Sequence, residues 1–84
     1  HRIEGVAVDP STGSLWVSDT SWNRLVELNP TTGAVLLKFG TEGSGNNQFE
    51  YPAHLAVGVA GGKKTLYVAD YWNNRVQVFD ITNL

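Results

Sequence analysis

The sequence predicts an all-β protein that contains two copies of one repeating unit, and three observations lead to this prediction. Residues 15–19 (LWVSD) return as residues 66–70 (LYVAD), and each block is followed at the same spacing by an arginine, Arg24 or Arg75. Short runs rich in Val, Leu, Tyr and Trp alternate with Gly, Pro and Asn turn residues about every ten positions, which is typical of β-strands. Helix patterns are nearly absent. A repeat of about 50 residues is typical of propellers, solenoids and arrays.

The first unit is predicted to contain four strands and the second unit three. The first four strands are expected at residues 5–9, 14–19, 24–29 and 33–39, and the remaining three at 53–59, 65–70 and 75–80. Turns that contain Pro and Gly separate the first strand from the second and the third from the fourth. We divide the chain into a first unit (3–39), a link (40–52) and a second unit (53–84). The glycine-rich start of the link is expected to be a flexible connection.

The last predicted strand, residues 75–80, has no partner on its outer side within this chain. Folded proteins normally cover such an edge. We therefore expect something outside the 84 residues to cover it.

Composition limits the classes of function. The chain has no cysteine, so neither a disulfide framework nor a thiolate metal site is available. Its 6 Lys and Arg are outnumbered by 8 Asp and Glu, which argues against a phosphate-binding, nucleic-acid partner. No apolar stretch approaches the roughly 20 residues of a membrane span. No phosphate loop, nucleophile elbow or metalloprotease motif is present, and no cofactor is predicted.

Several blocks with fixed spacing resemble the NHL repeat. From the end of the first unit through the second unit they are Phe39-Gly40, Gln48-Phe49, Pro52, residues 55–57 (LAV), residues 66–70 (LYVAD) and residues 73–80 (NNRVQVFD). The first unit resembles the repeat through residues 5–9 (GVAVD), residues 15–19 and residues 23–25 (NRL). The resemblance implies four-stranded antiparallel blades of a β-propeller, commonly six-bladed, and a second blade that lacks its outer strand here. We call the units blade 1 and blade 2.

Two blades cannot close a ring, because propellers usually carry four to eight. The expected partners are therefore further blades. They come from other copies of the chain, three of which would form a six-bladed homotrimer, or from the rest of a longer chain.

The aspartate and arginine that recur in both blades are interpreted as structural. Asp19 and Asp70 end the second strand of each blade, and Arg24 and Arg75 begin the third. A carboxylate at this place can pair with the arginine and accept bonds from turn N–H groups. A catalytic or ligand role for Asp70 is the alternative, but repetition favours the structural interpretation.

Residues that occur once are the better candidates for binding. In an up-and-down blade, the turns after the second strands and the link reach the same face of the propeller. That face is expected to collect aromatic and polar side chains: Trp22, Tyr51, His54, Tyr71 and Trp72, together with Phe49 and Glu50. Aromatic anchors with a few polar groups favour a protein, peptide or glycan ligand. The alternative is that Phe49 and Tyr51 fill gaps between blades and that the Trp side chains cover the sheet ends.

The sequence therefore favours a non-enzymatic propeller scaffold that binds a ligand on this face. Some proteins of the NHL type are metal-dependent lyases that act on peptidyl-hydroxyglycine and bind zinc through histidines, so a second hypothesis makes His54, in several converging copies, the metal ligand of such a lyase. A single His without Cys is a poor zinc site. RNA binding is a third hypothesis, and purely structural blades of a larger extracellular or fibre protein are a fourth.

Overall fold

The computed structural model describes residues 2–83, so His1 and Leu84 at the ends of the predicted units lie outside the described residues. Within this range the chain forms strands and two one-turn 3-10 helices. The strands are β1 (Ile3–Val8), β2 (Leu15–Asp19), β3 (Arg24–Leu28), β4 (Val35–Phe39), β5 (Thr41–Glu42), β6 (Gln48–Phe49), β7 (Pro52–Ala60), β8 (Lys63–Asp70) and β9 (Arg75–Asp80), and the 3-10 helices are Thr20–Trp22 and Tyr71–Asn73.

Strands β1–β4 and β7–β9 form two antiparallel sheets in which neighbours in sequence are neighbours in space, and β5 and β6 form a separate short pair. Blade 1 has the order β1-β2-β3-β4, and blade 2 has the order β7-β8-β9. This arrangement confirms the prediction of an all-β fold made of four-stranded blades, with a second blade that has three strands among the described residues. The sequence missed the 3-10 helices between β2 and β3 and between β8 and β9, because a single turn of helix leaves no apolar periodicity.

The core lies between the two blades. Alternating side chains of each sheet point towards the other sheet, as the period of two in a strand requires. Gly5 lies where the innermost strands approach most closely, and a Cβ atom there would overlap the carbonyl of Ala53 on β7. The fully buried members of the core come from both blades and from the link, and they are Trp16, Leu25, Phe49, Leu66, Val68 and Ile81.

The expectation that the start of the link is a flexible connection is wrong. β5 and β6 pair in parallel and close the glycine-rich segment into a loop. The guanidinium of Arg75 then donates to three carbonyl oxygens of this loop, those of Ser44 at 3.0 Å, Gly45 at 2.8 Å and Gln48 at 2.9 Å. These partners lie about thirty residues before Arg75 in the chain, so local composition gave no sign of them.

A buried ion pair joins the blades at the end opposite the link. The Nζ of Lys64 in blade 2 lies 2.7 Å from Oδ2 of Asp9 in blade 1, and both side chains are largely buried. Burial raises the pKa of the Asp9 carboxyl, but hydrogen bonds from Lys64 and Ser11 outweigh it and bring that pKa down to about 2. The pair therefore stabilises the contact between the blades.

We expect Asp9→Asn to lower the free energy of unfolding by about 1.5–2 kcal/mol near neutral pH, the usual value of a hydrogen bond to a charged group. The folded pKa of about 2 lies below the reference value of 3.8, so the stabilisation is present above 3.8 and is lost as pH falls through 2. Urea unfolding across that pH range should show that the free energies of unfolding of the wild type and the variant converge as the pH falls. Glu42→Gln, at an exposed carboxylate, is the control, and a difference between wild type and Asp9→Asn that does not change with pH would contradict the assignment.

Candidate functional site

The repeated aspartate–arginine pairs have the same geometry in both blades. Arg24 Nε donates to Asp19 Oδ2 at 2.9 Å, and Arg75 Nε donates to Asp70 Oδ2 at 2.9 Å. Each pair spans the 3-10 helix that connects its two strands, and the two residues are directly opposite in the strand register. The structure therefore places these pairs at the base of the turns that carry the candidate binding residues.

Asp70 also holds the link. Its side chain is fully buried, and its carboxylate accepts the backbone N–H of Glu50 at 2.8 Å, Nδ2 of Asn73 at 2.8 Å and Nε2 of Gln77 at 3.2 Å. With the Nε of Arg75, the carboxylate accepts from four donors of the link, the turn and β9. This arrangement agrees with the structural interpretation of Asp70.

Tyr51 ends the link in a left-handed backbone conformation, with φ of 59°. This conformation is unusual for a bulky residue and costs of order 1–2 kcal/mol. Neighbouring turns hold it in place, because Tyr51 N donates to Oδ1 of Asn23 at 2.9 Å and its carbonyl accepts from Tyr71 N at 3.2 Å. Tyr51 is thus clamped between the second-to-third-strand turns of both blades.

The Tyr51 ring stacks on the indole of Trp72. Their ring centroids are 5.0 Å apart with planes 20° from parallel, and the Tyr71 ring lies 5.8 Å from Tyr51. Tyr71 and Trp72 are 64% and 63% exposed, so this group presents its apolar surface to solvent. We call Tyr51, Tyr71 and Trp72 the aromatic ledge.

Two hollows flank the aromatic ledge, and Arg2, Tyr51 and Trp72 line both. The larger, about 460 Å³, is completed by Glu4, Ala53, His54 and Tyr71, and the smaller, about 310 Å³, by Thr20, Ser21 and Asn23. Together they make a surface that is apolar along the ledge and polar on both sides.

Charged groups at the start of β1 fix the Tyr51 hydroxyl. Arg2 donates to it from Nη1 at 2.7 Å, and the hydroxyl donates to Oε1 of Glu4 at 3.3 Å. The bond to Tyr51 and the nearby charge of Glu4 raise the pKa of Arg2, so the guanidinium stays charged. The hollows therefore contain one cation and one anion close together.

Four of the five predicted binding residues lie together and the fifth does not. Tyr51, His54, Tyr71 and Trp72 line the larger hollow. Trp22 lies in a separate hollow of about 520 Å³ on the outer face of blade 1, with the guanidinium carbon of Arg24 5.7 Å from its ring centre. Phe49, which was expected on the same propeller face, is instead fully buried in the core, as the gap-filling alternative required.

Sequence reasoning missed Arg2, Glu4 and Asn23. Arg2 and Glu4 lie at the start of the first strand, which the up-and-down topology puts at the same face, so strand direction could have located them. Asn23 carries no such signal, because its bond to Tyr51 joins residues 28 apart in the sequence.

The described residues do not form a metal centre by themselves. Across residues 2–83, no group of three His, Cys, Asp or Glu side chains is placed to hold a metal ion. His54 is exposed at the start of β7. The described helices also include none of the length and apolarity that crossing a lipid bilayer requires.

Each sheet consists of antiparallel strands in chain order, and the two sheets pack face to face with their first strands innermost. This arrangement defines blades of the β-propeller class. Comparison with known proteins gives the family. A family model described as the NHL repeat matches residues 49–79, most of blade 2. Residues 49–79 of this chain therefore form an NHL repeat.

Similar proteins come from vertebrates. The chain is 40% identical over 79 residues to peptidyl-glycine alpha-amidating monooxygenase of Mus musculus and to peptidylglycine alpha-amidating monooxygenase of Rattus norvegicus, and 38% identical to peptidyl-glycine alpha-amidating monooxygenase A of Xenopus laevis. Each match covers 88% of this chain but 8% of the relative. The likeness therefore concerns a small segment of these enzymes, and the NHL repeat, as a structural unit, does not by itself assign an activity.

Proposed function

We propose that this chain is part of a non-enzymatic NHL propeller scaffold that binds an extended peptide across the aromatic ledge. The observation that carries the proposal is the stack of Tyr51 on Trp72, exposed between two polar hollows. Exposed, rigid aromatic pairs supply large contact area at low entropic cost, and they are enriched among binding hot spots.

The strain at Tyr51 supports a role in binding. A tyrosine with a positive φ is less stable than a glycine would be there, and such strained positions cluster at ligand sites. Two hydrogen bonds and the ring stack hold it in place, which preorganises the ledge and lowers the entropic cost of binding.

The polar groups on both sides suit a peptide. Arg2 and Asn23 offer donors, and Glu4 and Ser21 offer acceptors, within the two hollows. A peptide that crosses the ledge would place one side chain in each hollow and bond its backbone to these groups. The matched relatives are named for action on peptidyl-glycine, which agrees with a peptide over a glycan.

We expect Trp72→Ala to weaken peptide binding by about thirtyfold, equivalent to the roughly 2 kcal/mol of an aromatic hot spot. The test is an array of twelve-residue peptides probed with the 84-residue chain, followed by titration of the best binders. Trp22→Ala is the matched control, because Trp22 is similarly exposed at 55% but lies in another hollow. Equal losses in both variants, or binding to glycans alone, would contradict the proposal.

A second candidate function is a metal-dependent lyase, which the resemblance to the NHL repeat implies as an alternative and which agrees with the matched relatives being enzymes by name. His54 would be the ligand that this chain contributes, and other blades or copies would supply the rest. Zinc bound in stoichiometric amount and lost in His54→Ala would support this candidate over the scaffold.

We also propose that further propeller blades cover the outer sheet faces. Valine side chains that are more than half exposed lie on both of these faces. They are Val6, Val8 and Val35 on blade 1 and Val76 and Val78 on blade 2. Apolar patches of this kind mark association surfaces. Light scattering would distinguish assembly of the 9.2 kDa chain into a trimer from a monomer that needs blades of a longer chain.

A further inference from the structure

The hydrogen-bond acceptors beside the aromatic ledge are already engaged by the protein. The Ser21 hydroxyl accepts the backbone N–H of Arg2 at 2.6 Å, and Oδ1 of Asn23 accepts the backbone N–H of Tyr51 at 2.9 Å. The Glu4 carboxylate accepts the Tyr51 hydroxyl at 3.3 Å and lies 3.8 Å from Nε of Arg2. A ligand in either hollow would therefore share each of these acceptors with a donor of the protein.

Several donors at the same place have no such partner. Within residues 2–83, no acceptor is bonded to Nδ2 of Asn23, Nε1 of Trp72 or the hydroxyl of Tyr71, and all three side chains line the hollows. The guanidinium of Arg2 also has more N–H groups than its bond to the Tyr51 hydroxyl uses. The two hollows therefore offer mainly donors to a ligand.

The charges beside the aromatic ledge compensate each other. Arg2 and Glu4 carry opposite charges, and Nε of Arg2 lies 3.8 Å from Oε2 of Glu4. A charged ligand therefore gains little net attraction from this pair. The best match is a neutral ligand whose polar groups are acceptors.

We propose that the peptide bound across the aromatic ledge is a proline-rich segment in the polyproline II conformation. This inference rests on the proposed peptide-binding function and names the class of peptide. Proline has no backbone N–H, so a run of prolines presents carbonyl oxygens to the donors of the hollows and brings no donor of its own. Any other residue would bring an N–H to a surface that has few spare acceptors, and a buried N–H without an acceptor costs of order 1–3 kcal/mol.

Proline rings also suit the apolar part of the surface. Polyproline II segments bind aromatic-lined surfaces, and their fixed φ angle lowers the conformational entropy that is lost on binding. Residues one turn apart lie on the same side of this helix and are about 9 Å apart. Two prolines at this spacing would enter the two hollows, and the segment between them would cross the stacked rings of Tyr51 and Trp72.

The probe is an acetylated and amidated peptide of about ten prolines, titrated into the 84-residue chain by isothermal titration calorimetry. We expect saturable binding with Kd below about 1 mM. The control is a peptide of the same length with alternating alanine and serine, which is also neutral but has a backbone N–H at every residue. We expect it to bind at least about tenfold more weakly, equivalent to about 1.4 kcal/mol.

Asn23→Asp tests the hydrogen-bond complementarity in the protein. The change keeps Oδ1, which accepts the Tyr51 N–H, but replaces the Nδ2 donor by an acceptor oxygen. We expect it to weaken binding of the proline peptide about tenfold and not to weaken binding of the alanine–serine peptide. Asn74→Asp is the matched control, because Asn74 is the equivalent residue of blade 2, with φ of 53° against 52° at Asn23, and lies outside both hollows.

Three results would overturn the inference: no saturable binding of the proline peptide, equal affinity for the two peptides, or equal losses in Asn23→Asp and Asn74→Asp. The array of twelve-residue peptides separates this failure from failure of the proposed function. If proline-free peptides bind and lose affinity in Trp72→Ala while the proline peptide does not bind, the class of peptide is wrong and the peptide site remains. If no peptide binds, the proposed function is wrong as well.

Discussion

Phe49→Ala is expected to lower the free energy of unfolding by about 3–5 kcal/mol, the usual cost of truncating a fully buried aromatic side chain. Phe49 is 0% exposed, and its ring lies 6.3 Å from that of Phe39 in blade 1 and 6.0 Å from that of Phe79 in blade 2. The substitution therefore removes a side chain of the link that packs against both halves of the core. A chain of 84 residues has little stability to lose, so much of the variant should be unfolded at 25 °C.

Urea unfolding followed by circular dichroism measures this loss. Tyr71→Ala is the control, because it removes an aromatic ring of similar size from the same region that is 64% exposed. We expect Tyr71→Ala to lower the free energy of unfolding by less than about 1 kcal/mol. A Phe49→Ala variant as stable as Tyr71→Ala would show that the link does not hold the blades together.

Asp70→Ala is expected to lower the free energy of unfolding by about 3–4 kcal/mol, because it leaves a largely buried guanidinium and several donors without their acceptor. The donors are Arg75 Nε, Asn73 Nδ2 and the backbone N–H of Glu50. Arg75 also holds the glycine-rich loop, so the loop should lose its order when Arg75 loses its position.

Blade 1 provides the matched control. Asp19→Ala removes the equivalent carboxylate, whose bond to Arg24 has the same 2.9 Å length. In the described part of the chain, the loop of residues 40–48 is bonded to Arg75 and not to Arg24. We expect Asp19→Ala to lower the free energy of unfolding by about half as much as Asp70→Ala in the same urea measurement. Equal losses would mean that the loop contributes nothing through Asp70.

The pairs also explain why repetition separates roles in this chain. Both blades need the same turn between their second and third strands, so both retain the aspartate and the arginine. Tyr51, Tyr71 and Trp72 follow no such requirement. Tyr71 and Trp72 are more than 60% exposed, and Tyr51 beside them has a strained, hydrogen-bonded backbone. Their assignment to a binding site remains a prediction until the peptide titrations are made.

The sequence by itself determined the fold class, the resemblance to the NHL repeat and nearly all strand positions. The reason is that the repeat is written in local patterns: alternating apolar residues, turn residues at fixed spacing, and the LWVSD and LYVAD blocks. Strand direction then follows from the connection lengths, which is why Tyr51, His54, Tyr71 and Trp72 could be placed on one face.

Tertiary structure alone decided which of these residues meet and which do not. It separated Trp22 from the aromatic ledge, buried Phe49, ordered the glycine-rich loop through Arg75, and paired Asp9 with Lys64 across the blades. The last two outcomes depend on contacts between residues 30 and 55 positions apart in the chain. A sequence pattern reports only the neighbours of a residue along the chain, whereas packing of two sheets brings together side chains that no local pattern connects.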